Sequence, residues 1–272
     1  MIAWLFACAG GDDTGPAFPG VYRVVVETDP DPPAAGAPTD VTLQVLGPDN
    51  APVDDLVEIH ERMVHSFVIS KDLASFAHIH HEDFAALTGE DLRTATFHWP
   101  YTFPTSGDWF LAFEFANDGQ YRSAGANLVV TGEPAQQMTP QIDTSGAVEV
   151  DGVRGELVWD VGPTASGTSE FHVVLTDVGL GEPVDDVGMW LGADAHVAVA
   201  SEDLSVVKHT HAWVAGMDAM APGHTMPHQY DGPELPFHVD FSKPGRWKLW
   251  VQFARAGAPD APITLPLGFE IP

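Results

Sequence analysis

The sequence is poor in basic residues. It has 11 Lys and Arg against 39 Asp and Glu, so its formal net charge at pH 7 is −28. Binding to nucleic acid or to an anionic membrane surface depends on basic patches, and this charge argues against both. Hydrophobic residues still make up 44% of the chain. That share is enough for packed cores and does not predict a disordered protein.

Cysteine is nearly missing as well. Cys8 is the single cysteine, so an intramolecular disulfide and a zinc site built from thiolates are both excluded. It ends the short apolar run Leu5-Phe6-Ala7-Cys8, which is similar to the lipobox of a bacterial lipoprotein signal peptide, and a polar, Gly-rich tether follows. We therefore expect residues 1–20 to be a lipoprotein signal and tether with Cys8 as the lipidation site. The alternative is a cytosolic protein with an apolar N-terminal tail.

Long apolar runs are also lacking. The N-terminal run is too short to span a bilayer, and no other stretch of the sequence approaches that length. The lipid on Cys8 is then the only membrane contact that we expect. The predicted location is the bacterial cell envelope, where the protein would be lipid-anchored and either periplasmic or exposed at the cell surface.

Short alternating or β-branched runs fill the rest of the chain and are cut by 26 Gly and 23 Pro. Examples are Val41–Leu46, Trp109–Phe115, Phe171–Leu175 and Trp247–Phe253. Period-two patterning with frequent turns predicts an all-β fold. A polar stretch without hydrophobic period, residues 132–147, predicts a linker. We expect two tandem Ig-like antiparallel β-sandwich domains, at residues 21–131 and 148–272.

An internal repeat supports this division. Pro52–Glu82 aligns without a gap on Pro183–Trp213, at a constant offset of 131 residues. Both copies begin with Pro-Val-Asp-Asp and share an Asp-Leu pair. Three histidines recur in the same register: His65, His78 and His80 in the first copy, and His196, His209 and His211 in the second.

The repeated histidines predict metal sites. His78 and His80 form an H-x-H pair in strand-like sequence, and residues two apart on a strand lie on one face. His65 begins the preceding run, so antiparallel pairing of the two runs would gather three imidazoles. Three imidazoles suit Cu(II), or a zinc ion with an open position. The alternative is a set of hydrogen-bonded core histidines, because duplicated genes also share residues for structural reasons.

Seven additional residues distinguish the second half. The aromatic strands that begin near Trp109 and Trp247 are offset by 138 residues instead of 131, and the excess falls within residues 215–230. The segment contains three methionines. Their thioether sulfurs are soft donors that prefer Cu(I), so the segment favours copper over zinc. A loop that packs on the sandwich or on a partner is the alternative. The candidate ligands in it are Met217, Met220, His224, Met226 and His228.

With these residues, the sequence resembles the secreted, often lipid-anchored YtkA-like and related copper-associated β-sandwich proteins of bacterial envelopes. The segment Val64–His80 matches their pattern of His, a Ser-x-Asp-Leu turn and His-x-His, and Phe103–Trp109 matches a later Phe-Pro-x-x-Gly-x-Trp element. The resemblance implies an Ig-like sandwich and a role in metal handling. His81 departs from the pattern, which usually has Pro at that position, as does Ala212 in the second copy.

These observations predict an envelope lipoprotein that binds copper, as Cu(I) or Cu(II), and buffers or delivers it. Its expected partners are the metal ion and an envelope metal-transport protein or cuproenzyme. Two alternatives stay open: a structural or interaction lipoprotein without metal, and a copper or zinc metalloenzyme. The sequence has no nucleophile elbow, no H-E-x-x-H and no phosphate loop, so we assign no catalytic residues.

Overall fold

A computed structural model of the chain describes residues 21–133, 139–212 and 227–272. The described residues form two compact units with their boundary between Gln141 and Ile142, inside the stretch that the sequence predicts as the linker. None of the helices in these residues is long and apolar enough to cross a membrane. The predicted all-β fold of two β-sandwich units is confirmed.

The first unit contains two antiparallel sheets. One has the order β1-β2-β6, and in the other β7 pairs with β3, β4 and β8, while β4 also pairs with β5. A 3₁₀ helix (His81–Asp83) and a short helix α1 (Gly89–Thr94) lie between β5 and β6. The strands are β1 (Arg23–Asp29), β2 (Pro38–Leu46), β3 (Leu56–Val57), β4 (Val64–Ser70), β5 (Phe76–Ile79), β6 (Thr96–Thr102), β7 (Gly107–Asn117) and β8 (Gln120–Val130).

The second unit repeats this plan. One sheet has the order β12-β11-β10-β9 with β16 also on β11, and the other has the order β13-β17-β14-β15 with β18 also on β17. The strands are β9 (Ala147–Val150), β10 (Val153–Val161), β11 (Thr168–Asp177), β12 (Glu182–Pro183), β13 (Val187–Gly188), β14 (His196–Ser201), β15 (Val207–His211), β16 (Glu234–Asp240), β17 (Gly245–Arg255) and β18 (Ala258–Ile271).

Each unit has its own apolar core. Strand β2 shows how the sequence forms it, because Val41, Leu43 and Val45 are buried while the residues between them are more exposed. The two copies also place a fully buried tryptophan at the start of the long strand. The indole Nε1 of Trp109 donates to the Thr105 carbonyl at 3.2 Å, and the Trp247 indole makes the same bond, at 3.3 Å, to Lys243. The indole is therefore buried with its polar atom paired.

A repeated turn sets the pairing of β4 with β5 and of β14 with β15. In the first unit Ser70 Oγ donates to Asp72 Oδ1 at 2.6 Å, and Asp72 Oδ1 also accepts the backbone N–H of Ala74 at 3.0 Å. Leu73 takes the left-handed conformation, with φ of 61°. Asp side chains that bond the backbone two residues ahead stabilise tight turns. The same bonds and conformation recur at Ser201, Asp203, Leu204 and Ser205.

Candidate metal centres

The hairpin register brings the first three histidines together. Phe67 of β4 lies opposite His78 of β5. His65 precedes Phe67 by two residues and His80 follows His78 by two, so all of these side chains lie on the same face. In the second unit His196 lies directly opposite His211, and Ala198 opposite His209. The predicted convergence of three imidazoles is therefore present in each unit.

The first cluster has three inward nitrogen atoms almost equally far apart. Nδ1 of His65 lies 2.9 Å from Nε2 of His78 and 3.1 Å from Nε2 of His80, and the last two atoms are 3.0 Å apart. His65 is 0% exposed and His80 1%, whereas His78 is partly exposed. The three rings therefore present one Nδ1 and two Nε2 atoms to a single point.

The outward nitrogens of two of these rings have acceptors as partners. Nε2 of His65 lies 2.9 Å from the carbonyl oxygen of Ile59, and Nδ1 of His80 lies 2.9 Å from Oδ2 of Asp83. A carbonyl oxygen only accepts, so Nε2 of neutral His65 carries the proton and Nδ1 holds a lone pair. The Asp83 carboxylate selects the corresponding tautomer of His80. Both inward nitrogens are thus in the form that binds a metal.

Asp83 is held in place from two sides. Its Oδ2 also accepts the backbone N–H of His80 at 3.0 Å, and its Oδ1 accepts Nη2 and Nε of Arg62 at 3.1 and 3.2 Å. Burial acts to raise the pKa of Asp83, but the hydrogen bonds from His80 and the nearby Arg62 charge outweigh it and hold the pKa below its usual value. Asp83 therefore stays an anion and an acceptor.

The second cluster repeats part of this arrangement. Nδ1 of His196 lies 3.2 Å from Nε2 of His209. The ring centroid of His211 lies 4.6 Å from that of His196 and 4.4 Å from that of His209. One ligand atom from each of the three residues lies within 4.8 Å of the other two. Nε2 of His196 contacts the carbonyl oxygen of Trp190 at 2.9 Å, and Trp190 is 131 residues after Ile59.

The two carbonyl acceptors sit in equivalent turns. In each turn the first and fourth residues exchange two backbone hydrogen bonds, from Ile59 to Arg62 and from Trp190 to Ala193. Both central residues have positive φ values: 45° and 66° in the first turn, and 49° and 70° in the second. The two turns share no residue type at any of the four positions. Sequence comparison therefore could not identify these acceptors, which act through the backbone.

The nitrogen triangle of the first cluster fits a metal ion. With sides near 3 Å, its centre is about 1.7 Å from each nitrogen, close to the ~2.0 Å of a metal–imidazole bond, so His65, His78 and His80 would hold the ion. A neutral cluster can also be held together by one proton on His78 Nε2, shared between the lone pairs of His65 and His80. The histidine groups can therefore hold a metal ion, and a shared proton is the alternative.

His228, another of the predicted ligands, lies between two carboxylates. His228 Nδ1 lies 2.5 Å from Asp194 Oδ1, and its Nε2 lies 3.0 Å from Asp231 Oδ1. These two carboxylates raise the pKa of His228 and favour its protonated form, which does not bind metal. In the structure His228 therefore pairs with these two carboxylates. Four predicted ligands and the lipidation site lie outside the described residues: Met217, Met220, His224, Met226 and Cys8.

His81 also stays apart from the cluster, although it directly follows His80. Its Nδ1 accepts the backbone N–H of His98 on β6 at 3.0 Å. Asp83 and Arg62 were the residues that sequence reasoning missed. The only signal for Asp83 in the sequence was a carboxylate three residues after a candidate ligand.

The family model described as Domain of unknown function (DUF8832) matches the chain twice, over residues 19–132 and 148–264. No curated protein matches the sequence. Among solved structures, a putative membrane anchored protein from Corynebacterium diphtheriae is 9% identical, with a TM-score of 0.24, over 92% of this chain and 58% of that one. The Yersinia pseudotuberculosis adhesin InvE is 11% identical, with a TM-score of 0.25, over 90% and 58%. The chain thus spans less than two thirds of either protein.

Proposed function

The chain belongs to the DUF8832 family, and we propose that it is a metal-binding protein of the bacterial envelope that buffers or delivers copper. Each unit would bind one ion through its three histidines. The observation that carries this proposal is the first cluster, in which three imidazole nitrogens lie 2.9 to 3.1 Å from one another. Histidine rings arranged only for packing have no reason to direct three nitrogens at one point.

The hydrogen bonds behind the rings support the proposal. Metal-binding histidines usually donate their outer N–H to a carbonyl or a carboxylate, which sets the tautomer and makes the inner nitrogen more basic. His65 and His80 have such partners in Ile59 and Asp83, and His196 has one in Trp190. These partners support the proposal that both units bind a metal ion.

Copper is the proposed ion on chemical grounds. Imidazole suits copper and zinc alike, and three imidazoles accommodate either Cu(II) or a three-coordinate Cu(I). The sequence that follows the second cluster adds three methionines, Met217, Met220 and Met226, in a short Gly- and Pro-containing stretch. Thioether sulfur prefers Cu(I) to zinc. The lipobox-like Cys8 would tether the protein in the envelope, and the acidic surface would raise the local concentration of cations.

Titration of the metal-free protein tests the proposal. Cu(I) and Cu(II) should each bind with a stoichiometry of two per chain, measured by competition with a chromophoric chelator. Replacing His78 and His80 by Ala, or His209 and His211 by Ala, should each remove one ion. A matched control replaces His172 by Ala, because His172 pairs with Asp160 at 2.9 Å and lies outside both clusters. Uptake no tighter than that of the acidic surface, unchanged by either double variant, would refute the proposal.

A structural role for the clusters is the second candidate, and a specific observation favours it. The distances of 2.9 to 3.1 Å are also normal hydrogen-bond lengths, so one shared proton could join the three rings. In that case the double variant of His78 and His80 would lower stability equally with and without copper. If copper binds, the stability gap between the wild type and the variant should instead widen as the ion is added.

A further inference from the structure

Arg62 ties together the two groups that orient the first cluster. Its backbone closes the turn with Ile59, through N–H to carbonyl distances of 2.7 and 3.0 Å. Its guanidinium donates to Oδ1 of Asp83. Oδ2 of the same carboxylate accepts a hydrogen bond from Nδ1 of His80. Ile59 supplies the acceptor for His65. One residue therefore connects the acceptor behind His65 to the acceptor behind His80.

A second bond strengthens the same connection. The backbone N–H of Met63 donates to Oε1 of Glu82 at 2.8 Å, so the residue after Arg62 is also joined to the 3₁₀ helix. The Arg62 side chain is 21% exposed and that of Asp83 is 33% exposed. A partly buried ion pair of this kind is screened less than one on the open surface. The support behind His65 and His80 is therefore a single cross-linked unit.

The second copy has different residues at these positions. At the offset of 131, Ala193 replaces Arg62 and Val214 replaces Asp83. Ala193 keeps the backbone turn with Trp190 but has no charge to offer. Val214 lies outside the described residues, and a valine side chain cannot accept a hydrogen bond from imidazole. The two aligned positions therefore carry no charged residues in the second copy, and its sequence does not repeat the Arg62–Asp83 pair.

From this difference we propose that Arg62 and Asp83 are positioning residues that make the first cluster the tighter and more rigid of two unequal metal sites. The inference rests on the proposed metal-binding function. Asp83 holds the ring of His80 in its ligating orientation before the ion arrives, and Arg62 holds Asp83. Less rearrangement is then needed on binding, and the ligand nitrogen of His80 is more basic. The second cluster would bind more weakly and release its ion first.

The experiment compares the two sites one at a time in the full chain. Replacing His209 and His211 by Ala leaves the first site, and replacing His78 and His80 by Ala leaves the second. We expect the first site to bind Cu(II) more tightly, with a dissociation constant lower by about 10- to 100-fold, which is the usual effect of outer-shell partners. In the chain with only the first site, Arg62→Ala and Asp83→Ala should each weaken Cu(II) binding by a similar factor, and Arg62→Lys should restore part of the loss.

A spectroscopic measurement separates positioning from general destabilisation. Loss of the Asp83 contact changes the orientation and basicity of His80, so the Cu(II) electron paramagnetic resonance parameters of Asp83→Ala and Arg62→Ala should shift. Arg93→Ala is the matched control, because Arg93 forms an ion pair with Glu90 on the exposed helix α1. It should leave both affinity and spectrum unchanged.

Two results would count against the inference in distinguishable ways. Equal Cu(II) affinity of the two sites, with Arg62→Ala and Asp83→Ala spectra like that of Arg93→Ala, would overturn it and leave the proposed function intact. Failure of the wild-type chain itself to bind Cu(II) and Cu(I) would refute the proposed function, and with it the inference. If Asp83→Ala does not fold, Arg62→Ala alone decides the outcome, because it removes a partly exposed side chain and keeps the turn.

Discussion

Nε2 of His65 donates to the carbonyl oxygen of Ile59 at 2.9 Å, which leaves the lone pair of His65 Nδ1 directed at His78 and His80. His65 is fully buried. Its tautomer is therefore set by the backbone of a neighbouring turn. The same relationship joins His196 to Trp190.

His65 should matter for stability even without metal. The change His65→Ala removes a buried ring and leaves the Ile59 carbonyl without its donor, which should lower the free energy of unfolding by about 2 kcal/mol or more. His78→Ala should cost less, because His78 is partly exposed. Urea denaturation of the metal-free variants measures both values. Equal losses in the two variants would contradict the assigned role of His65.

Copper should stabilise the fold in a pH-dependent way. A ligand that binds only the native state at 100 times its dissociation constant adds about 2.7 kcal/mol to the free energy of unfolding. Imidazole must be neutral to bind metal, so this gain should shrink as pH falls through about 6.5. Thermal unfolding with and without Cu(II), from pH 8 to pH 5.5, follows the effect. A melting temperature that copper leaves unchanged at pH 8 would exclude tight binding to the folded protein.

Glu114 should oppose folding at high pH. It lies opposite His65 on the neighbouring strand β7, and burial raises the pKa of Glu114 to about 8. The folded state therefore holds the proton more tightly than the unfolded chain. The contribution of Glu114 to the free energy of unfolding is complete below the normal glutamate pKa and is lost as pH rises through about 8.

Glu114→Gln tests this, and the second copy already has Gln252 opposite His196. The variant should gain stability over the wild type as pH rises from 5 to 9, as measured by urea denaturation across that range. Gln252→Ala serves as a control, since it removes no titrating group. A difference between Glu114→Gln and the wild type that does not change with pH would contradict the raised pKa.

His228 should be protonated at a pH where an ordinary histidine is neutral. Asp194 and Asp231 raise the pKa of His228, so its contribution to stability is complete below about 6.5 and is lost as pH rises through the raised value. NMR titration of the ring protons measures the shift. Asp194→Asn should lower the pKa of His228 towards its usual value. A wild-type midpoint at or below the usual value would show that the two carboxylates do not act on this ring.

Much of the fold was predictable because strand patterning is a local property. The alternation in Val41–Leu46 marks the buried face of β2, and the Gly and Pro punctuation separates the strands. The repeat carried more information than any single motif. It identified His65, His78 and His80 as a set through their equivalents in the second copy, because histidines that share one register twice are expected to share one place in the fold.

Other features were not predictable. His228 was a candidate ligand on grounds of composition, but its ring lies between Asp194 and Asp231. The contact with Asp194 joins residues 34 positions apart, and no local pattern contains it. Asp83 and Arg62 were missed for the same reason, since their pairing depends on how the 3₁₀ helix lies against a turn 21 residues earlier.

The sequence by itself determined the all-β fold, the duplication and the three histidines of each copy, because residue alternation and register are written along the chain. Only the tertiary structure decided which nitrogen of His65, His80 and His196 faces inward and what holds it there. Those choices belong to the carbonyl oxygens of Ile59 and Trp190 and to the Asp83 carboxylate. Any residue can supply a backbone carbonyl, so the sequence does not mark Ile59 or Trp190 as acceptors. Arg62 and Asp83 are 21 residues apart, and no sequence pattern predicts that they pair, so both features are seen only in the folded chain.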